Sequence, residues 1–296
     1  MVCYRTAGQE YTFSCPVPEL QPFEIYKTEY AEGLSAIPAA VSLYCRTTGW
    51  IGEEQREVEC WFAPPGMILR VAGGSDFYIS SDGRVIVPLE ATKANGTNSQ
   101  AASTSLLSGL DREILAGPAL VLALALRGTW CLHASAAIFK ESLILFLGES
   151  GQGKSTLAAY LATAKNSGWR LVADDILPVT MAPNGVIAWP RFPQLKLPSQ
   201  SQPGVGLPEQ ISVSKVCVLK NGGASDVPGM QLLPAGQSAH AFLSHTAGTR
   251  LFEPDLLAKH LTFCTQAAGC APVYNLAYTH KRNVLPGVRQ LLEGFC

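Results

Sequence analysis

The chain has 296 residues, 47% of them hydrophobic and 15% charged, with a formal net charge of −1. That length holds one large core or two domains, and near-neutrality without a Lys/Arg cluster among aromatics argues against a dedicated nucleic-acid binder. Nine cysteines without CxxC spacing or a Cys/His ligand cluster argue against structural zinc, and they read as reduced thiols of a cytoplasmic protein.

In chain order, residues 1–20 carry Arg5, Glu10 and Glu19 and no apolar core of a secretory signal. Short apolar segments at 40–45, 58–62, 67–71, 77–79 and 85–87 are separated by turn signals, the pattern of a β-rich domain. Ser81-Asp82-Gly83 is a hairpin turn by its chemistry, and Pro64-Pro65-Gly66 is a break. Glu53, Glu54, Glu57 and Glu59 around Arg56 read as a solvated face. Residues 92–104 are small and polar, like a linker, so the expected domains are 1–104 and 105–296.

Residues 105–127 read as helical with a break at Gly117-Pro118. The apolar run 116–126 is about 11 residues, too short to span a bilayer, and is expected to be a buried helix. No membrane partner is expected, while low charge density beside this run suggests contacts between subunits. Strands at 130–138 and 143–147 follow, joined by Lys140-Glu141; so short a link predicts an antiparallel hairpin.

The second of these strands runs into Gly148-x-x-x-x-Gly153-Lys154-Ser155, and a helix is expected from 156 to 164. Glycines let backbone N–H groups converge on phosphate oxygens, and a helix N-terminus favours anions. The pattern predicts a nucleotide site formed by Gly148, Ser150, Gly151, Gln152, Gly153, Lys154, Ser155 and Thr156. Lys154 would reach the β- and γ-phosphates of ATP, and the Ser155 hydroxyl would bind Mg²⁺.

About 20 residues on, a hydrophobic strand at 169–173 is expected to end in Asp174 and Asp175. One carboxylate can hold Mg²⁺, assigned to Asp174, and the other can act as base, assigned to Asp175; the two roles are interchangeable at this level. Asp at a helix N-cap is the competing role. His133, on the strand before the hairpin turn, could orient or charge-pair with the base. Arg191 and Lys196, in a proline-fixed strip, could place positive charge on a migrating phosphoryl group or contact a peptide. Arg250 could touch phosphate, although a surface arginine is the simpler reading. His240, His245, His260 and His280 have no metal spacing. Further strands are expected at 186–189, 195–197, 213–219 and 273–276, and helices at 238–243, 254–268 and 284–293.

His133-Ala134-Ser135, then Gly148-Glu149-Ser150-Gly151-Gln152-Gly153-Lys154-Ser155, then Leu171-Val172-Ala173-Asp174-Asp175 resemble, in order and spacing, the catalytic domain of HPr kinase/phosphorylase. The chain is more similar still to the HPr-kinase-like proteins of ribosomal peptide clusters. No glutamate-containing loop of the family's kind follows the acid pair, and the next acidic residue is Glu209. The resemblance implies an α/β fold: a phosphoenolpyruvate-carboxykinase-like P-loop kinase domain with a mixed sheet, preceded by a smaller β-rich N-terminal domain. It implies ATP- and Mg²⁺-dependent phosphorylation of a serine hydroxyl on a peptide or protein partner. A kinase of a small hydroxyl metabolite such as free serine, and a nucleotide-gated regulatory protein, are the alternatives.

Overall fold

The computed structural model describes residues 2–13, 20–21, 24–27, 40–89, 107–194, 206–222 and 227–296. The expected strand at 195–197, the residue Lys196 and the linker at 92–104 lie outside the described residues. The fold is mixed α/β, in two compact units: residues 1–128 with 248–257, and 129–247 with 258–296. Among the described residues no helix is long and apolar enough to cross a membrane.

The first unit is an eight-stranded sheet. Its strands are β1 (Val2–Thr6), β2 (Gln9–Phe13), β3 (Glu24–Lys27), β4 (Ser42–Ile51), β5 (Glu54–Ala63), β6 (Gly66–Val71), β7 (Asp76–Ser80) and β8 (Val85–Leu89). The order is β3-β1-β2-β8-β7-β6-β5-β4, antiparallel throughout except for β2 beside β8. The turn before β8 is built as its residues dictate. Asp82 Oδ1 accepts from Ser80 Oγ at 2.6 Å and from the Arg84 N–H at 3.1 Å. Gly83 has φ +66°, and a Cβ there would stand 2.3 Å from the Ala123 carbonyl, so only glycine fits.

The close approach of Gly83 to Ala123 is one contact between the first sheet and the helical stretch that ends the first unit at Gly128. Helices α1 (Gly109–Ile114) and α2 (Leu120–Leu126) group with the first sheet. Ser108 caps α1 by accepting from the Asp111 N–H at 3.0 Å, and Asp111 in turn accepts from the Ser75 N–H at 2.7 Å. Between the helices Gly117 leaves helical geometry (φ −102°, ψ −106°) beside Pro118, the expected break. Residues 120–125 are all buried, as an all-round apolar helix must be.

The second unit is a seven-stranded sheet, ordered β10-β9-β11-β12-β13-β15-β14, with β10 also parallel to β13. The strands are β9 (Trp130–Phe139), β10 (Ser142–Leu147), β11 (Trp169–Ala182), β12 (Gly185–Ala188), β13 (Ile211–Asn221), β14 (Gly229–Leu232) and β15 (Val273–Tyr278). Pairing from β10 through β9, β11, β12 and β13 thus returns to β10. Helices α3 (Lys154–Thr163) and α6 (Leu285–Gly294) bury Leu157, Leu161, Val288 and Leu292 in one cluster with Ile144, Phe146 and Leu219. Each such side chain contributes about 1.5–3 kcal/mol by leaving water. Helices α4 (Ala235–Ser244) and α5 (Pro254–Cys270) are the remaining α-helices among the described residues.

Candidate functional site

The glycine turn sits between β10 and α3. Gly153 takes the left-handed conformation (φ +81°) as the N-cap of α3, and no side chain caps that helix. The first-turn N–H groups of α3 therefore face outward, where an anion would satisfy them. Lys154 is buried, 6% exposed, and its Nζ donates to the Gly148 carbonyl at 2.6 Å and the Glu149 carbonyl at 3.1 Å. The turn also braces itself: the Glu149 N–H donates to Gln152 Oε1 at 3.2 Å.

Strand β9 brings the other polar groups to this turn. In its antiparallel register with β11, Ser135 faces Asp174, Ala134 faces Asp175 and His133 faces Ile176. Ser135 Oγ donates to Asp174 Oδ1 at 3.0 Å, and His133 Nε2 stands 3.4 Å from Asp175 Oδ1. The acids do not end a strand, as expected from the sequence, but lie inside β11, which continues to Ala182. They occupy ladder positions in the same register, not a helix N-cap.

Beyond the end of β10, the free edge of β9 is taken by residues 245–247. The His133 N–H donates to the His245 carbonyl and the Ala247 N–H to the Cys131 carbonyl, both at 2.7 Å, around a bridge from Leu132 to Thr246. Buried His260 on α5 holds this segment, with Nε2 2.8 Å from Thr246 Oγ1. Burial lowers the His260 imidazole from its usual value to about 4. His245 is also pushed toward its neutral form, by burial first; Glu149 opposes the shift, and Lys154 and His133 add to it.

A cavity of about 190 Å³ opens where these elements meet. From the turn and helix it is lined by Ser150, Gly151, Gly153, Lys154, Ser155 and Thr156; from the strands by His133, Ser135 and Asp175. Gly148 and Gln152 shape the turn without lining the cavity, and Asp174 is likewise outside the lining. Arg191, which donates to the Leu207 carbonyl at 3.4 Å, is not among the lining residues either. Arg250 belongs to the first unit, in a short turn at Thr249–Leu251, where its carbonyl accepts from Cys45 Sγ.

Two residues of this region carried no role in the sequence reading. Ser135 sat inside a quoted motif but appeared inert, because its partner Asp174 is remote in sequence. Gln194 had no signal at all: it is 1% exposed, and its Oε1 accepts from the Asp174 N–H at 2.9 Å.

No family model matches the chain, and no curated protein matches it. Among solved structures it is similar to the HPr(Ser) kinase/phosphatase from Coxiella burnetii. That match has a TM-score of 0.31 and 15% sequence identity, over 56% of this chain and 95% of that one.

Proposed function

We propose that this protein is an ATP-dependent phosphotransferase that moves the γ-phosphoryl group to a serine hydroxyl of a peptide or protein. One observation carries the reading: a single cavity joins the Lys154 turn, the uncapped first turn of α3 and the His133–Asp175 pair. At about 190 Å³ it is smaller than the ~300–1,000 Å³ typical of pockets that enclose drug-sized ligands. It therefore suits the phosphate end of a nucleotide and an acceptor oxygen, with the nucleoside lying outside.

The residues also fit a magnesium nucleotide. Among the described residues no three His, Cys, Asp or Glu side chains gather into a cage. A magnesium ion brings phosphate oxygens with it and takes one or two protein ligands; here these would be Ser155, which lines the cavity, and Asp174, which lies outside the lining but is bonded to the lining residue Ser135. When bound, Mg²⁺ would neutralise charge developing on the phosphoryl oxygens.

The chain's own groups would do the rest. Lys154 and the α3 N-terminus would hold the β- and γ-phosphates. Asp175 would take the acceptor hydroxyl's proton as that oxygen bonds to the γ-phosphorus. The bond from phosphorus to the β–γ bridging oxygen would break, its electron pair leaving on ADP. His133, beside Asp175, would keep the carboxylate aimed and balance its charge. The serine acceptor on a peptide rests on the motif resemblance, and presenting that peptide is the role we give the first unit.

Lys154→Ala tests the site. Calorimetric titration with ATP·Mg²⁺ should show binding by the wild type and its loss in the variant, with an unchanged circular dichroism spectrum. Wild-type protein should add about 80 Da, one phosphoryl group, to a serine peptide. Equal nucleotide affinity in both proteins would remove the site. Modification of free serine alone would replace the peptide acceptor with a metabolite, and tight ATP binding with no transfer would leave a regulatory protein.

A further inference from the structure

Asp174 is gripped from both edges of β11. On the β9 side, Ser135 lies directly opposite in the register and its hydroxyl donates to Oδ1 at 3.0 Å. On the other side, β12 pairs with 179–182, and among the described residues no strand pairs with the edge at 174–176. The side-chain amide of Gln194 takes that place. Its Oε1 accepts from the Asp174 N–H at 2.9 Å, and its Nε2 donates to the carbonyls of Ile176 at 2.8 Å and Phe192 at 3.2 Å. The N–H of one residue and the C=O two residues on share one edge of a strand, so one primary amide can serve both.

Both grips come from buried side chains. Ser135 and Gln194 are each 1% exposed while Asp174 is half-buried, so the gripping groups themselves are held by the core, and a buried amide with its hydrogen bonds satisfied is rigid. Asp174 is therefore fixed in backbone and carboxylate, whereas the neighbouring Asp175 lines the cavity beside His133.

We propose that Ser135 and Gln194 are positioning residues for phosphoryl transfer, a clamp on Asp174 that stops the two adjacent acids from exchanging roles. The inference rests on the function proposed above, which gives the ion to Asp174 and the acceptor to Asp175, and deepens it by naming what keeps the two roles apart.

Ser135→Ala removes one grip, and Ser135→Thr restores the hydroxyl. Gln194→Glu, ionised, keeps the acceptor for the Asp174 N–H but loses both donated bonds. Outer partners of metal-binding groups typically matter by about 10–100-fold in affinity or activity. We expect Ser135→Ala and Gln194→Glu each to lower kcat and to raise the Mg²⁺ concentration for half-maximal rate by about 10-fold or more. The KM for ATP should stay within about twofold, and Ser135→Thr should recover most of the loss.

A merely structural role would lower the number of ATP sites found by calorimetric titration, with kcat per site and Mg²⁺ dependence unchanged; that result overturns the clamp. So does wild-type behaviour in both variants. Amide exchange at Asp174 supplies a readout free of activity: it should be slow in the wild type and faster in Gln194→Glu, and equal rates overturn the clamp. A wild type that binds no ATP sinks the proposed function instead, and the exchange measurement still judges the grip.

Discussion

On the sheet of the first unit charged side chains pair with each other away from any described cavity; in the second, Lys154, His133 and Asp175 meet at one. Glu59 accepts from Trp61 Nε1 at 3.0 Å and Arg46 Nε at 2.8 Å, while Arg70 binds Asp76 through two nitrogens and lies over the Trp61 ring. These contacts hold the Glu59 carboxyl below its usual range, the Trp61 bond most of all. Glu59, expected on a solvated face, is thus buried under its partners, 6% exposed, whereas the more exposed Arg70–Asp76 pair is of the kind that typically contributes about 0–1 kcal/mol. Lys154, His133 and Asp175 are arranged differently, around a space large enough for other atoms. The contrast teaches where chemistry belongs: a charge held by its neighbours can still meet a ligand when it also borders an open space.

Three changes would break or sharpen this contrast. The largest effect is expected from Asp175→Asn. Loss of a positioned base costs about 10²–10⁴-fold in rate, so phosphoryl transfer should fall in that range while calorimetry still finds ATP bound. Near-full turnover would move the base to another group.

Phe77→Ala addresses the first unit. Its ring is fully buried, and such truncations cost about 3–5 kcal/mol of stability. Denaturant titration should show that loss, with ATP affinity of the folded protein at 25 °C unchanged. A weakened nucleotide site would erase the separation of roles between the units.

The smallest effect is a pH dependence. His260 binds its proton less readily when folded, at about 4, than in an unfolded chain near 6.5. Between those values the unfolded state takes up more protons, so this contribution is complete above about pH 6.5 and declines as pH falls toward 4. Denaturant midpoints should drop across that window, and less steeply in His260→Gln. Parallel curves for the two proteins would show that His260 charges freely in the fold.

Local chemistry made much of the second unit legible. The Lys140-Glu141 link is the hairpin turn between β9 and β10, and the glycine pattern lies between a strand and a helix. Leu157, Ala158 and Leu161 show the helical spacing that buries one face of α3. What escaped depends on partners distant in the chain. Asp174 and Asp175 read as a strand end because two acids close a hydrophobic run. The ladder with β9 carries β11 through them, with Pro178 opposite Cys131. Nothing local marks Gln194 as a strand substitute, since its partners lie some 20 positions away. Arg191 was read from its charge in a proline-fixed strip and Arg250 from its charge, and neither feature says which way a loop turns. β1 and β2 were missed because their apolar alternation is short, and it is the pairing with β8 that joins them to the sheet.

Lys154 carries a consequence for the life of the protein between catalytic cycles. Its ammonium has already left bulk water and rests on the carbonyls of Gly148 and Glu149. The dehydration that any tight phosphate contact demands is thus completed when the chain folds, not when a ligand arrives. Such a chain gives up some resistance to unfolding in exchange for readiness, the compromise between endurance and activity seen wherever a functional group is kept in waiting.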